Sequence, residues 1–170
     1  TEDEEQLTNI VREALSLALE SLDEMRLREG EELKTSLLAC LDELQGILST
    51  IESRKDLVPA EYAEKLRQRI AELTAGTDID EARFTTEVAL MADRSDISEE
   101  TVRLAAHISQ FRNTIMEEGA VGRKLDFIVQ EMNRELNTIG SKSGDMTITN
   151  AVIAGKSVVE KIREQVQNIE

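Results

Sequence analysis

A chain of 170 residues gives one ordinary domain, or one domain with an extended arm. It is 40% hydrophobic but only 2% aromatic, with no Trp, so its core must be Leu, Ile, Val, Met and Ala, the palette of packed helices rather than of sheet sandwiches. A net charge of −15 argues against nonspecific duplex binding, and a single cysteine, Cys40, excludes an intrachain disulfide or a thiolate zinc site.

The charge is unevenly spread. Residues 1–100 hold 11 basic and 26 acidic side chains, whereas residues 101–170 hold 9 of each. The first part therefore repels a polyanion, and the second does not repel one as a whole. Abundant carboxylates remain compatible with a hard divalent cation. No run approaches the roughly 20 apolar residues of a membrane span, and no signal peptide is visible. A cytoplasmic location is expected. The chain starts at Thr1 without Met and reads as a piece of a longer protein.

In chain order, apolar residues first recur at Leu7, Val11, Ala14, Ala18, Leu22 and Met25, a helical stripe with one extra step of four. A second series, Leu33, Leu37, Cys40, Leu44, Ile47 and Ile51, keeps a strict heptad spacing, with Cys40 read as plain core. The phase slips by one residue across RLREGEE, which with Gly30 suggests a bend or a rotated contact face. One helix of roughly fifty residues, forming an arm, is equally open.

Pro59 fits the first turn of a new helix, with Ala63, Leu66, Ile70 and Leu73 as its stripe and Gly76 beyond its end. Asp78 or Asp80 is placed to cap the next, which carries Phe84, Val88 and Met91 and is interrupted at ADRSD. Asp96 and Glu99 have capping-box spacing for a following helix, with Ser98 a competing cap. That helix is expected to bury Ile97, Leu104, Ile108, Phe111 and Ile115 and to end near Gly119. Val121, Leu125, Ile128, Met132 and Leu136 mark another, closed by Gly140. Ile148, Val152, Val159, Ile162, Val166 and Ile169 give a last helix running to the C-terminus. The fold class is all-α: a long helical arm or hairpin over residues 1–76, then a helical bundle over residues 77–170.

Two stripes carry polar chemistry. Glu100, Arg103, His107 and Gln110 are spaced 3, 4, 3, one residue out of step with the buried stripe of their helix. Partial desolvation there strengthens charge pairing and metal binding. His107 is the only imidazole, and a structural or surface histidine is the bland alternative. In QEMNRE, Glu131 and Glu135 stand at i and i+4, close enough to share a divalent ion. Lys124 and Thr138 extend that stripe and Arg134 lies beside it. The alternative is an acidic pair on water with Arg134 relieving the repulsion. Gly140 to Gly144 offers small residues whose amides could meet a phosphate, but a plain interhelix loop looks similar. No P-loop, HExxH or nucleophile elbow is present.

The strings EVALMADRSDISEETVRLAAHISQF, GRKLDFIVQEMNRELNTIGSKS and EKIREQVQNIE closely resemble the C-terminal region of the bacterial YicC-like (YloC) family. MRLREGEEL and VPAEYAEKLRQRIAEL fit the region upstream, so the resemblance runs from about Met25 to Glu170. It implies a stress-associated endoribonuclease that uses a divalent cation, acts on RNA and assembles into homo-oligomers, a ring-like hexamer for the full-length protein. It also implies a preceding domain of mixed strands and helices that this chain lacks. Gly155 departs from the family, where a larger residue is usual.

Position by position, the family's polar motif falls on Arg28, Glu29, Glu87, Asp93, Asp96, Glu99, Glu100, Arg103 and His107. It continues on Arg123, Lys124, Asp126, Glu131, Arg134, Glu135, Asn137, Ser141, Lys142, Arg163, Glu164 and Gln165. The resulting expectation is a metal-assisted endoribonuclease in which Glu100, Glu131 and Glu135 hold Mg²⁺ or Mn²⁺. His107 is expected to transfer protons, and Arg103, Arg123, Lys124, Arg134 and Lys142 to contact RNA. The alternatives are a helical assembly module and an RNA-regulating adaptor without catalysis of its own.

Overall fold

The structure, a computed structural model, describes residues 2–74, 79–117 and 119–169, and it is all-α. Its helices are α1 (Glu2–Lys55), α2 (Val58–Leu73), α3 (Glu81–Arg94), α4 (Ser98–Thr114), α5 (Gly122–Lys142) and α6 (Met146–Val166). Two compact units emerge, Thr1–Leu38 and Ala39–Glu170. The expected division at residues 76/77 lies outside the described residues, as do Gly76 and Asp78.

From Glu2 onward the first unit is helical, and Gly30 does not interrupt it. Residues 3–32 are all exposed, so the series Leu7 to Met25 covers no core. Helix here follows from the lack of breakers and from strong formers such as Leu, Glu, Arg and Ala.

In the second unit, the rest of α1 turns Leu41, Leu44, Leu48 and Ile51 fully inward. The buried seam is thus centred one position over from Cys40 and Ile47, which are half-buried flanks. Cross-helix pairs fix the directions. Asp42 meets Arg112 and Lys55 meets Ser98, so α1 runs antiparallel to α4. Arg103 meets Glu135 and Glu100 meets Lys142, so α4 runs antiparallel to α5. A Cβ added at Gly155 would lie 3.1 Å from Leu136 of α5 and 3.5 Å from Ile47 of α1. This part of the chain is therefore an up-and-down bundle of α1, α4, α5 and α6. Its buried hydrophobic residues are aliphatic apart from Phe111, with Thr101, Thr114, Glu100 and Glu135 buried among them, and each buried Leu, Ile or Val contributes roughly 1.5–3 kcal/mol. The small residue at position 155 lets three helices approach closely.

Between α1 and α4 stand α2 and α3. Pro59 lies in the first turn of α2 as expected, yet no α2 residue is buried. The pair is held by the Arg67–Glu81 ion pair and by Arg67 stacked 4.4 Å over the Phe84 ring. Asp80 caps α3 by accepting from the amides of Ala82 and Arg83.

Several expected details are corrected. Asp96 accepts from the Ser98 amide at 2.9 Å, and no capping box forms because Glu99 pairs with Arg103 instead. Helix α4 ends at Thr114 rather than near Gly119, and Ile115 is only half-buried. Gly140 does not close α5, which continues to Lys142. A Cβ at Gly140 would stand 3.1 Å from Val152 Cγ1, so this glycine serves the close approach of α5 and α6. Only Ser143 to Asp145 separate those helices, which removes the proposed loop of phosphate-facing amides. Helix α6 stops at Val166, short of the C-terminus.

Candidate functional site

The expected stripes of α4 and α5 face each other across an open cleft of about 490 Å³. Its walls are Arg103, Ala106 and His107 from α4 and Glu131, Arg134, Glu135 and Thr138 from α5. His107, Glu131 and Glu135 each offer a ligand atom, all within 4.8 Å of one another. Glu135 is 4% exposed, while His107 and Glu131 are half-buried. The spacing explains the convergence. Glu131 and Glu135 lie one turn apart on α5, and antiparallel packing brings His107 of α4 opposite them.

Glu135 is buried because it shares the inner flank of α5 with Met132, Leu136 and Ile139. A buried carboxylate without a partner is strongly disfavoured. Arg103 supplies that partner, its Nε forming an ion pair with Glu135 Oε2 at 3.1 Å. Its other nitrogens reach Glu99 and Glu100, each at 3.0 Å. The hydrogen bonds to Glu135 and then Glu99 hold the guanidinium above its ordinary pKa.

Glu100 does not join the His107 cluster. Its Oε1 accepts from Arg103 and from Lys142 Nζ, both at 3.0 Å, and Lys142 also donates to the Asp96 carbonyl. Its Oε2 is buried and has no hydrogen-bond partner. Burial pushes the Glu100 carboxyl up, but the Lys142 hydrogen bond and the flanking cations outweigh it, and the net direction is down. Glu100 is thus linked to Glu135 through Arg103.

The five expected RNA-contacting cations are dispersed. Arg103 and Arg134 line the cleft. Arg134 is 74% exposed, with Glu131 3.6 Å away. Lys142 is engaged at the far end of α5. Arg123 is exposed near the start of α5, and Lys124 pairs with Glu117. Eighteen residues separate Lys124 from Lys142, about 27 Å of helix.

Sequence reasoning missed Ala106, whose small side chain gives no chemical signal, and the link from Arg103 to Glu135. It also missed Arg54, which binds Glu61 at 2.6 and 2.7 Å and Asp145 at 2.7 Å, tying α1 to α2 and to the start of α6. Asp145 additionally caps α6 through the Ile148 amide.

The residues present suit a divalent cation. One imidazole and two carboxylates are ligands for Mn²⁺, and the carboxylates alone for Mg²⁺. Among the described residues, no helix is long and apolar enough to cross a membrane.

Comparison with known proteins adds an independent line. The family described as endoribonuclease YicC-like, C-terminal, matches residues 51–170. The chain is 49% identical over 170 residues to the probable endoribonuclease YicC of Clostridioides difficile, covering 99% of this chain and 58% of that protein. It is 40% identical over 146 residues to the probable endoribonuclease YicC of Haemophilus influenzae, covering 86% of this chain and 50% of that protein. The chain therefore spans between half and three fifths of the length of these curated relatives. Together with the helical architecture, these matches show that the chain belongs to the endoribonuclease YicC-like family and carries its C-terminal region.

Proposed function

We propose that this chain is the metal-holding part of an RNA-cleaving enzyme, with its centre in the cleft between α4 and α5. The carrying observation is the approach of His107, Glu131 and Glu135 ligand atoms within 4.8 Å beside the exposed guanidinium of Arg134. Glu131, Glu135 and one ring nitrogen of His107 would hold the cation, and the imidazole would favour Mn²⁺ over Mg²⁺. A cation bound there supplies charge neutralisation at the scissile phosphate and a nucleophile at neutral pH. Arg134, at the rim, orients the phosphate. Arg103 fixes the rotamer of Glu135. The second nitrogen of His107 would then carry the ring proton and, as a hydrogen-bond donor, orient the imidazole. Glu100 acts through Arg103 rather than as a ligand.

The test is cleavage of a labelled RNA by the full-length protein carrying Glu131→Gln and Glu135→Gln. Cleavage should be lost while mass in solution and helicity stay unchanged. Undiminished cleavage removes the assignment.

A second role, in homo-oligomer assembly, has its own support. Leu7, Val11, Leu22 and Met25 form one stripe on α1 and are 43–63% exposed. Such a stripe suits a helix–helix contact. Val11→Asp with Leu22→Asp should lower the mass measured by sedimentation, and an unchanged mass counts against assembly through this stripe. Leu37 and Leu44 are fully buried, so changes there report on folding instead.

A further inference from the structure

Nine residues of α5 are exposed, and none is acidic, in a chain carrying 35 carboxylates and a net charge of −15. Four of the nine are cations and three are side-chain amides. The acids of α5 are turned away: Asp126 is half-buried and accepts from Gln130, Glu131 faces the cleft, and Glu135 is buried. Along the outer face, Arg123, Phe127, Gln130 and Arg134 recur at steps of 4, 3 and 4, which places them on one stripe. Phe127 is 62% exposed, although the whole chain has only three Phe and one Tyr.

From this arrangement we infer that the outer face of α5 is a platform for single-stranded RNA, on which Phe127 stacks a base while Arg123 and Arg134 hold phosphates on either side. The inference rests on RNA being the substrate and adds how a strand reaches the cleft. Arg134 belongs both to the stripe and to the cleft wall. Phe127 lies seven residues before it, about 10 Å along the helix axis. A base stacked there anchors the strand close to the cation-holding residues. Isolated exposed apolar side chains need no explanation in general. Here the ring lies between two guanidinium groups on a stripe with no carboxylate of its own, the flanking Asp126 and Glu131 being engaged by Gln130 and Arg134. An aromatic ring with cations is the composition that binds a nucleic-acid strand. An unpaired base can offer its flat face to such a ring, whereas a base inside a duplex is covered by its neighbours.

The experiment measures binding of a fluorescent single-stranded RNA and of its duplex to the full-length protein, with a chelator present so that cleavage does not intervene. Phe127→Ala should weaken single-strand binding roughly 5- to 150-fold and leave duplex binding nearly unchanged. Phe127→Tyr should restore it. Arg123→Ala should reduce the salt dependence of log Kd by about one phosphate contact. Equal single-strand affinity in Phe127→Ala and wild type, or an equal loss on both RNAs, overturns the platform. A changed oligomer mass in Phe127→Ala does so too, since the ring then covers a subunit contact. Because binding is read without cleavage, a Glu131→Gln protein that binds RNA normally but does not cut it leaves the platform standing. Conversely, RNA that is bound normally by Phe127→Ala and cut through Glu131 and Glu135 leaves the nuclease reading standing without the platform.

Discussion

Arg103 on α4 forms an ion pair through Nε with Glu135 Oε2 on α5 at 3.1 Å, so a guanidinium backs the buried carboxylate that opens into the cleft. The same guanidinium binds Glu99 and Glu100, and its planar fork is what lets one side chain serve three carboxylates. Arg103→Lys keeps the charge and loses that fork. It should lower the thermal midpoint and the kcat for RNA cleavage, with a smaller change in KM. A raised KM at constant kcat would instead make Arg103 a phosphate contact.

Glu100 and the two glutamates of α5 should respond differently to neutralisation. Glu131→Gln or Glu135→Gln should weaken Mn²⁺ binding, followed by calorimetry or by the Mn²⁺ resonance signal. Glu100→Gln should retain most of it, because Oε1 of Glu100 is committed to Arg103 and Lys142. Its cost should appear in folding stability, about 2 kcal/mol for weakening hydrogen bonds between charged groups. Loss of Mn²⁺ binding in Glu100→Gln at unchanged stability would return it to the ligand set.

Acid should act on five carboxyls: Glu61 and Glu81, each paired with an arginine, together with Asp96, Asp145 and Glu100. Asp96 is held low by its Ser98 hydrogen bonds, and Asp145 by its Arg54 hydrogen bond. Glu100 is also net lowered, despite its burial. The folded protein thus binds fewer protons than the unfolded chain around their ordinary values of 3.8 and 4.5. Their stabilisation is complete above those values and is lost as pH falls through the depressed folded ones. Urea midpoints should stay level down to about pH 5 and then drop. Asp145→Asn should flatten the drop, and a steeper one would contradict the sign.

Arg54 binds Glu61 of α2 and Asp145 at the start of α6 at once. Since α2 buries no residue of its own, this charged tie is a large share of what holds it. Arg54→Ala should raise hydrogen exchange in α2 more than in α4 or α5. Arg54→Lys should behave similarly, because one ammonium cannot reproduce the bidentate contact with Glu61 together with the two donors on Asp145 Oδ2. Uniform exchange along the chain would deny the tie that role.

Gly140 and Gly155 predict opposite outcomes for the same substitution. Both added Cβ atoms would come to 3.1 Å, from Val152 Cγ1 and from Leu136 Cδ2 respectively. Valine's branched carbon is stiff, whereas a leucine methyl can swing away. Gly140→Ala should therefore cost about 1–2 kcal/mol of overpacking. Both substitutions gain about 1 kcal/mol in helix propensity, which offsets the milder squeeze at Gly155 and leaves it near wild type but does not offset the harder one at Gly140. Chemical denaturation of both variants distinguishes them.

The helices were legible because their apolar periods are long and breakers few, and Asp80 and Pro59 mark starts by local chemistry alone. The α1 seam was read correctly at Leu37, Leu44 and Ile51, but Cys40 and Ile47 stood in for their neighbours Leu41 and Leu48, which fit a 3.6-residue period equally well. Gly140 misled because a glycine that ends a helix and one that admits a neighbouring helix look alike in sequence; only the facing Val152 distinguishes them. The approach of His107 to Glu131 and Glu135 followed from stripes that needed merely to face each other. Glu100 parted from that group because Arg103 and Lys142 compete for it, and Lys142 is 42 residues away. Phe127 was passed over for a related reason, as its exposure depends on which side of α5 the bundle covers.

Cys40 is the chain's only thiol and stands half-buried on the flank of α1, next in sequence to Leu41. Its reaction with a maleimide is consequently a built-in clock. The labelling rate reports how often this stretch of α1 lifts from its neighbours, at one known position and with no foreign probe introduced.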